Sequence, residues 1–228
     1  MSILVTGGLG YIGSHTVVEL IQNKFDVIIV DNLSNTELFI LDNIKNITGI
    51  KPIFYNVDLV DFNNSNKIFT SHKIDGVIHF AAFKSVFESV KNPLKYYENN
   101  LISLLNILKS MKENNVSNIV FSSSCTVYGQ PDKLPVSESS PFKNAESPYA
   151  KTKQISEQII KDFAISNNNI SSVSLRYFNP VGAHESALIG ELPKGVPNNL
   201  VPYITQTAAG IREGLSVFGK DYNTHDGT

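Results

Sequence analysis

The chain has 228 residues, 42% of them hydrophobic and 18% charged, which is the composition of a folded globular protein and not of a disordered one. Nineteen basic against 21 acidic residues give a formal net charge of −2 with no basic block, which argues against a nucleic-acid partner. The single cysteine, Cys125, excludes an internal disulfide and fits a reducing compartment.

Read in chain order, apolar β-forming runs alternate with helical periodicity. Strands are expected at Ile3–Thr6, Val27–Val30, Pro52–Asn56, Gly76–Phe80, Asn118–Ser122 and Ser172–Tyr177. Helices are expected at Tyr11–Ile21, Glu37–Ile47, Phe62–Ser71, Leu94–Asn114 and Tyr149–Ser166. This alternation predicts an α/β fold with a doubly wound parallel sheet, because parallel strands need helical crossovers, and the glycine turn after the first strand (Gly7, Gly10, Gly13) makes it one of the NAD(P)-binding Rossmann type. After Phe178 the pattern gives way to Gly and Pro punctuation, then a helix at Asn199–Arg212 and a short strand at Ser216–Phe218. The expected division is a dinucleotide-binding domain over 1–178 and, over 179–228, the start of a smaller substrate domain. The first strand begins without a basic leader and no run approaches the ~18 apolar residues of a membrane span, so a cytoplasmic protein with no membrane partner is expected.

The first strand runs into Gly7, Gly10 and Gly13, spaced G-x-x-G-x-x-G, and then into a helix. One glycine permits the turn, one lets a phosphate approach the backbone, and one lets the helix pack against the strand. A pyrophosphate would rest against the helix's free N–H groups and positive dipole end. The next strand ends in Asp31, 18 residues beyond Gly13, where a carboxylate can accept from a ribose diol. Asp58, after the third strand, has two readings: an adenine contact, or the N-cap of the helix near Phe62. Small residues after the fourth strand (Ala81, Ala82) allow close backbone approach at the ligand-binding rim.

Tyr149 and Lys153 lie one turn apart at the start of a helix, just after Pro148. A lysine ammonium, with a nicotinamide cation nearby, would lower the phenol pKa, and bringing a tyrosine towards neutrality needs roughly 4 kcal/mol. The preceding strand ends in Ser122, Ser123 and Ser124, so Ser124, Tyr149 and Lys153 form a candidate acid/base unit. Cys125 and His79 read as buried core residues, and none of the five histidines has metal-ligand spacing, so no metal is expected.

The stretches TGGLGYIGSH (6–15), VDNLSN (30–35), HFAA with Lys84 and Ser85, YYENN (96–100), SSSCTVYG (122–129), SPYAKTK (147–153), LRYFNPVGAH (175–184) and FGKDYNTHDGT (218–228) carry a resemblance. The chain resembles the extended short-chain dehydrogenase/reductase superfamily, and within it the UDP-glucose 4-epimerase family. The resemblance implies an NAD-dependent isomerase of galactose metabolism that interconverts UDP-galactose and UDP-glucose. Tyr149 would take the 4-hydroxyl proton while hydride passes to tightly bound NAD, and the 4-keto sugar would turn over before reduction.

For the cofactor, the resemblance implies that Gly7, Gly10, Tyr11, Ile12 and Gly13 hold the pyrophosphate. Asp31, Asn32, Leu33, Ser34, Asn35 and Thr36 would hold the adenosine ribose, and Asp58 and Leu59 would flank the adenine. Phe80, Ala81, Ala82, Lys84, Asn99, Ser124, Tyr149, Lys153 and Phe178 would surround the nicotinamide half. Lys84, Ser124, Tyr149, Asn179, Asn199, Leu200, Ser216, Val217 and Phe218 would contact the UDP-sugar. The family also forms homodimers through a helix pair that Leu94–Lys112 and the helix from Tyr149 resemble; the alternative is that both stripes cover the sheet. It places the motif GVRDYIHV after the final DGT, so residues 179–228 are expected to be only the beginning of the substrate part.

This sequence departs from the family at Phe87, where glycine is usual, and at Cys125, where alanine is common. Two other readings compete. A nucleotide-sugar 4,6-dehydratase would need an Asp–Glu pair after its catalytic threonine, where Ser124, Cys125 and Thr126 offer no carboxylate, and a non-catalytic NAD-binding module typically lacks the Tyr or the Lys, both of which are present here.

Overall fold

The computed structural model describes residues 1–217, 219–222 and 224–227. The chain divides into two compact units, Met1–Gly190 and Glu191–Thr228.

The first unit is built on six parallel strands: β1 (Ser2–Thr6), β2 (Asp26–Asp31), β3 (Ile53–Asn56), β4 (Gly76–His79), β5 (Asn118–Ser124) and β6 (Ser171–Tyr177). Their order across the sheet is β3-β2-β1-β4-β5-β6. The helices of this unit are α1 (Tyr11–Gln22), α2 (Phe39–Thr48), α3 (Phe62–Ser71), α4 (Val86–Lys91), α5 (Pro93–Glu113) and α6 (Pro148–Ser166). The strand period of two sorts the apolar side chains between two layers. Ile3 and Val5 of β1, with Val27 and Ile29 of β2, pack against Val17, Val18 and Ile44 of α1 and α2. Leu4, Ile28 and Val77 point the other way, onto Phe69 of α3, Leu104 and Met111 of α5, and Ile160 of α6. The sheet is therefore helix-covered on both faces, the doubly wound arrangement, and its order reverses between β1 and β4.

The expected elements of this unit lie within a residue or two of the observed ones. The difference is α4, whose six residues are too few to show periodicity. Ser85 caps it by accepting from the Glu88 N–H, and Tyr96 ties it to α5 by accepting from the Ser85 N–H and donating to Glu88. Beyond Phe178 the chain stays with the first unit as far as Gly190. Tyr11 donates to the Gly182 carbonyl, Asn43 to that of Leu188, and Ile189 is buried beside α1 and α2.

In the second unit, helix α7 (Leu200–Ala208) is shorter than the expected Asn199–Arg212, because the chain turns through Gly210 at φ +72°. Ser216 and Val217 are not in a strand, and Phe218 lies outside the described residues.

Candidate active site

The carboxyl ends of β1 and β4 face each other across the point where the sheet order reverses. Gly7 leaves β1 at φ +65°, and a Cβ there would fall 2.8 Å from the Ala81 nitrogen. A Cβ at Gly13 would fall 2.2 Å from the Gly7 carbonyl oxygen, so α1 can pack this close to the turn only as glycine. Gly10 is the N-cap of α1, and its N–H donates to the Gly7 carbonyl. The first N–H groups of α1 have no helical carbonyl behind them. The result is a backbone cradle at a helix N-terminus, shaped for a phosphate pair.

Asp31 closes the adjoining edge. One carboxylate oxygen accepts from the Leu9 N–H at 3.2 Å, the other from the Leu33 N–H at 3.0 Å and the Thr36 hydroxyl at 2.7 Å. The loop is drawn round the carboxylate, with Leu33 at φ +59° and the Ser34 N–H on the Asn32 side chain. Asn32 in turn donates to Asp58, which accepts from the Val60 N–H. The N-cap of α3 is Asp61, bonded to the Asn64 N–H, which removes the capping alternative for Asp58. Leu59 is buried among α3 and α5 side chains.

The loop after β4 is fixed from α5. Asn100 accepts from the Phe83 N–H, donates to the Phe83 carbonyl and reaches Thr152 of α6, while Asn99 donates to Asn100. Lys84 stands exposed on this loop, and Phe80 and Ala82 are half-buried. His79 behaves as a core residue, 2% exposed, hydrogen-bonded to Thr6 and stacked on Phe121. Burial, and secondarily the Lys153 charge, press its pKa down to about 3.

At the end of β5 three consecutive serines meet α6. The Ser122 carbonyl accepts from the Lys153 ammonium at 2.7 Å, Ser123 donates to Glu157 at 2.5 Å, and Ser124 stands near enough to Tyr149 to oppose the rise of its phenol pKa. The Ser124 oxygen accepts from the Thr126 N–H and hydroxyl. Residues 149, 153 and 157 are successive turns on one face of α6, and they sit over three adjacent residues of one strand. Ser147 caps this helix through the Ala150 N–H, with Pro148 in its first turn.

The electrostatics differ from the expectation. Burial pushes the Tyr149 phenol up from its ordinary value, with the neighbouring Ser124 hydroxyl opposing it. Lys153, 4% exposed, is lowered by burial to about 8, and the Glu157 carboxylate resists that fall. Both groups are buried deeply enough for desolvation to outweigh their mutual effect. A cleft of about 340 Å³ opens beside them, lined in part by Val86, Cys125, Gly129, Ala150 and Phe178. Asn179 is exposed just beyond β6. Asn199, Leu200, Ser216 and Val217 belong to the second unit, where Asn199 stands at the N-cap of α7 and bonds Glu191.

Glu157 and Arg176 carry no role in the sequence reading. Arg176 of β6 grips Glu157 with Nε at 3.0 Å and an Nη at 2.8 Å, and donates from its other Nη to the Tyr128 hydroxyl. The signal was available: Glu157 recurs at the four-residue spacing of Tyr149 and Lys153, and Arg176 is the lone charge within an otherwise strand-like run.

A family model described as GDP-mannose 4,6 dehydratase matches residues 4–228. The chain is 52% identical to a UDP-glucose 4-epimerase of Drosophila melanogaster, over all of this chain and 67% of that relative. It is 50% identical to one of Bacillus subtilis, with the same coverage. The chain belongs to the UDP-glucose 4-epimerase family. Among solved structures of the family, that from Bifidobacterium longum in complex with NAD⁺ and UDP has a TM-score of 0.97 at 47% identity, covering all of this chain and 68% of that one. The epimerase from Stenotrophomonas maltophila, with bound NAD and formylated UDP-arabinopyranose, has a TM-score of 0.96 at 49% identity and the same coverage. Against this epimerase frame, Phe87 is 67% exposed on α4 under the Lys91 ammonium, and Cys125 is half-buried with its thiol pKa raised by burial.

Proposed function

We propose that the chain carries the NAD half and the proton-transfer residues of an isomerase that interconverts UDP-galactose and UDP-glucose. The observation that supports this most is the meeting of Ser124, Tyr149 and the buried Lys153 where the end of β5 adjoins α6, in a chain half identical to UDP-glucose 4-epimerases. The glycine cradle fits NAD, since Gly7 and Gly13 let the turn pack against Ala81 and the N-terminus of α1 against the turn, which leaves the first N–H groups of α1 for a pyrophosphate. Gly7, Gly10, Tyr11, Ile12 and Gly13 would hold the pyrophosphate, Asp31 through Thr36 the adenosine ribose, Asp58 and Leu59 the adenine. Phe80, Ala81, Ala82, Lys84, Asn99 and Phe178 would surround the nicotinamide. When bound, NAD supplies a reversible hydride acceptor for sugar C4.

Tyr149 takes the proton of the sugar 4-hydroxyl at its phenolic oxygen and later returns it. Ser124 holds the same sugar oxygen through its hydroxyl. Lys153 provides a positive charge that favours the phenolate once sugar and cofactor exclude water. Lys84, Asn179, Asn199, Leu200, Ser216, Val217 and Phe218 would contact the UDP-sugar, and 179–228 would begin the substrate part, with 1–178 as the NAD domain. We place the protein in the cytoplasm and expect a homodimer through α5 and α6. A dehydratase reading is not favoured, because Cys125 and Thr126 provide no acid pair after Ser124. The test is conversion of UDP-galactose to UDP-glucose by the purified protein in a coupled assay, with Tyr149→Phe as comparison. Equal turnover in the two would overturn the assignment.

A further inference from the structure

The three-serine edge of β5 leaves one contact without a function in the proposed reaction. Ser122 holds Lys153 and Ser124 stands beside Tyr149, but Ser123 holds Glu157, which touches neither cofactor nor sugar in that scheme. Glu157 is nonetheless firmly held: two bonds from the Arg176 guanidinium, one from Ser123, and a side chain only 10% exposed. A buried ion pair of this kind is costly to desolvate, so its retention in the core asks for a purpose beyond stability.

We infer that Glu157, clamped by Arg176 and Ser123, is a positioning residue that keeps Lys153 an ammonium and fixes α6 in register over β5. This rests on the functional reading above. Three facts lead to it. Glu157 is one helical turn from Lys153 on the same face of α6, and its carboxylate is bonded to Ser123, the strand residue next to the Ser122 carbonyl that takes the Lys153 ammonium. Arg176 comes from β6, whose Ser174, Leu175, Arg176 and Tyr177 pair with Phe121, Ser122, Ser123 and Ser124, so the clamp spans both strands beneath the helix. The other titratable groups facing Lys153 cannot replace the carboxylate. His79 on β4 is neutral above about pH 3, Tyr149 on α6 is a phenol raised by burial, and the Cys125 thiol on the turn after β5 is raised as well. Without Glu157, burial acts on Lys153 unopposed.

The experiment follows the Lys153 side chain directly. Protein with ¹³Cε-labelled lysine is titrated by NMR, and the Lys153 signal is identified by its loss in Lys153→Met. In Glu157→Gln the titration midpoint should fall by about one pH unit, the lower end of the effect of a close opposite charge, and Glu157→Asp should restore most of it. Since Glu157→Gln strands the Arg176 charge, the pair Glu157→Gln with Arg176→Met is measured alongside; it removes the opposing cation together with the anion and should show a smaller fall in the same direction. With a midpoint near 8 in the wild type and a unit lower in the variant, wild-type turnover should exceed variant turnover about fivefold at pH 8 and be nearly equal to it at pH 6. An unchanged Lys153 midpoint, or a turnover ratio that does not vary with pH, overturns the inference. A shifted midpoint with no UDP-galactose conversion by any form supports the clamp and refutes the functional reading instead.

Discussion

Removing the charge at Asp31 while keeping its shape tests how the chain chooses its dinucleotide. The carboxylate is 7% exposed and uses both oxygens, one for Leu9 and the other for Leu33 and Thr36. A 2′-phosphate brought within about 4 Å of it costs about 4 kcal/mol at an effective dielectric near 20, so the wild type should prefer NAD to NADP by about a thousandfold. In Asp31→Asn the amide oxygen can keep Leu33 and Thr36, but the amide nitrogen then faces the Leu9 N–H, donor against donor. One unsatisfied buried donor costs about 1–3 kcal/mol, and at this chain length each kcal/mol lowers Tm by about 2–4 °C. The variant should therefore lose stability, lose part of its NAD affinity, and gain NADP affinity until the two lie within about tenfold. Calorimetric titration of both cofactors into stripped protein, with a thermal melt of each form, reads all three. Equal affinities in the wild type, or an Asn variant with an unchanged ratio, would refute the assignment of Asp31 to the ribose.

Gly13→Ala should abolish measurable NAD binding and lower stability by about 1–3 kcal/mol, because its Cβ meets the backbone of Gly7 and Gly8 at 2.2 and 2.9 Å; cofactor retention through gel filtration checks it. Tyr149→Phe should bind NAD within about threefold of wild type while turnover falls at least about a hundredfold, as loss of a general base demands. Lys153, with a folded pKa near 8 against 10.5 for the free side chain, binds its proton more tightly unfolded, so the ammonium costs about 3 kcal/mol of stability below pH 8, a cost relieved as pH rises towards 10.5. Denaturant melts should accordingly show Lys153→Met gaining on wild type at pH 7 and losing that advantage by pH 10. His79 has the opposite window: its folded pKa near 3 lies below the 6.5 of the unfolded chain, so its contribution is complete above pH 6.5 and drains away as pH falls towards 3. His79→Leu should reduce the slope of unfolding free energy against pH by up to ~1.4 kcal/mol per unit between pH 6 and 4.

What the sequence made legible was whatever repeats with a period or forces a backbone. Strands β1 and β2 are unbroken apolar runs because helices cover both their faces, and their sequences say so without any partner in view. Gly7 and Gly13 could be assigned distinct mechanical duties because only glycine meets them. Ser124, Tyr149 and Lys153 were readable through helical spacing and the strand just before them. Contacts that depend on which strand becomes the neighbour of which were not readable: Asn100 holding Phe83, or Arg176 reaching Glu157, requires the sheet order first. Nor could spacing weigh desolvation against charge, which is why the Tyr149 phenol lies above its ordinary value and not below it. Helix α4 was too short for a period to declare itself, and Asp58 yielded the α3 cap to Asp61 through a choice between neighbouring carboxylates that only the loop geometry makes.

Strand β1 reaches its β4 partner across a long stretch of chain. The Ser2 N–H bonds Asp75, and Thr6 bonds His79, each across 73 residues, while β2 and β3 are laid down in between. Loop-closure entropy has to be met before such a pairing returns anything, and parallel sheets with distant partners fold slowly for that reason. The close packing of Gly7 against Ala81 thus comes into being only when the halves of the sheet join, after the helices and the β1–β2 pair are able to form. In a refolding time course, helical circular dichroism should rise first and cofactor binding should lag behind it, making the dinucleotide a reporter of the last long-range closure.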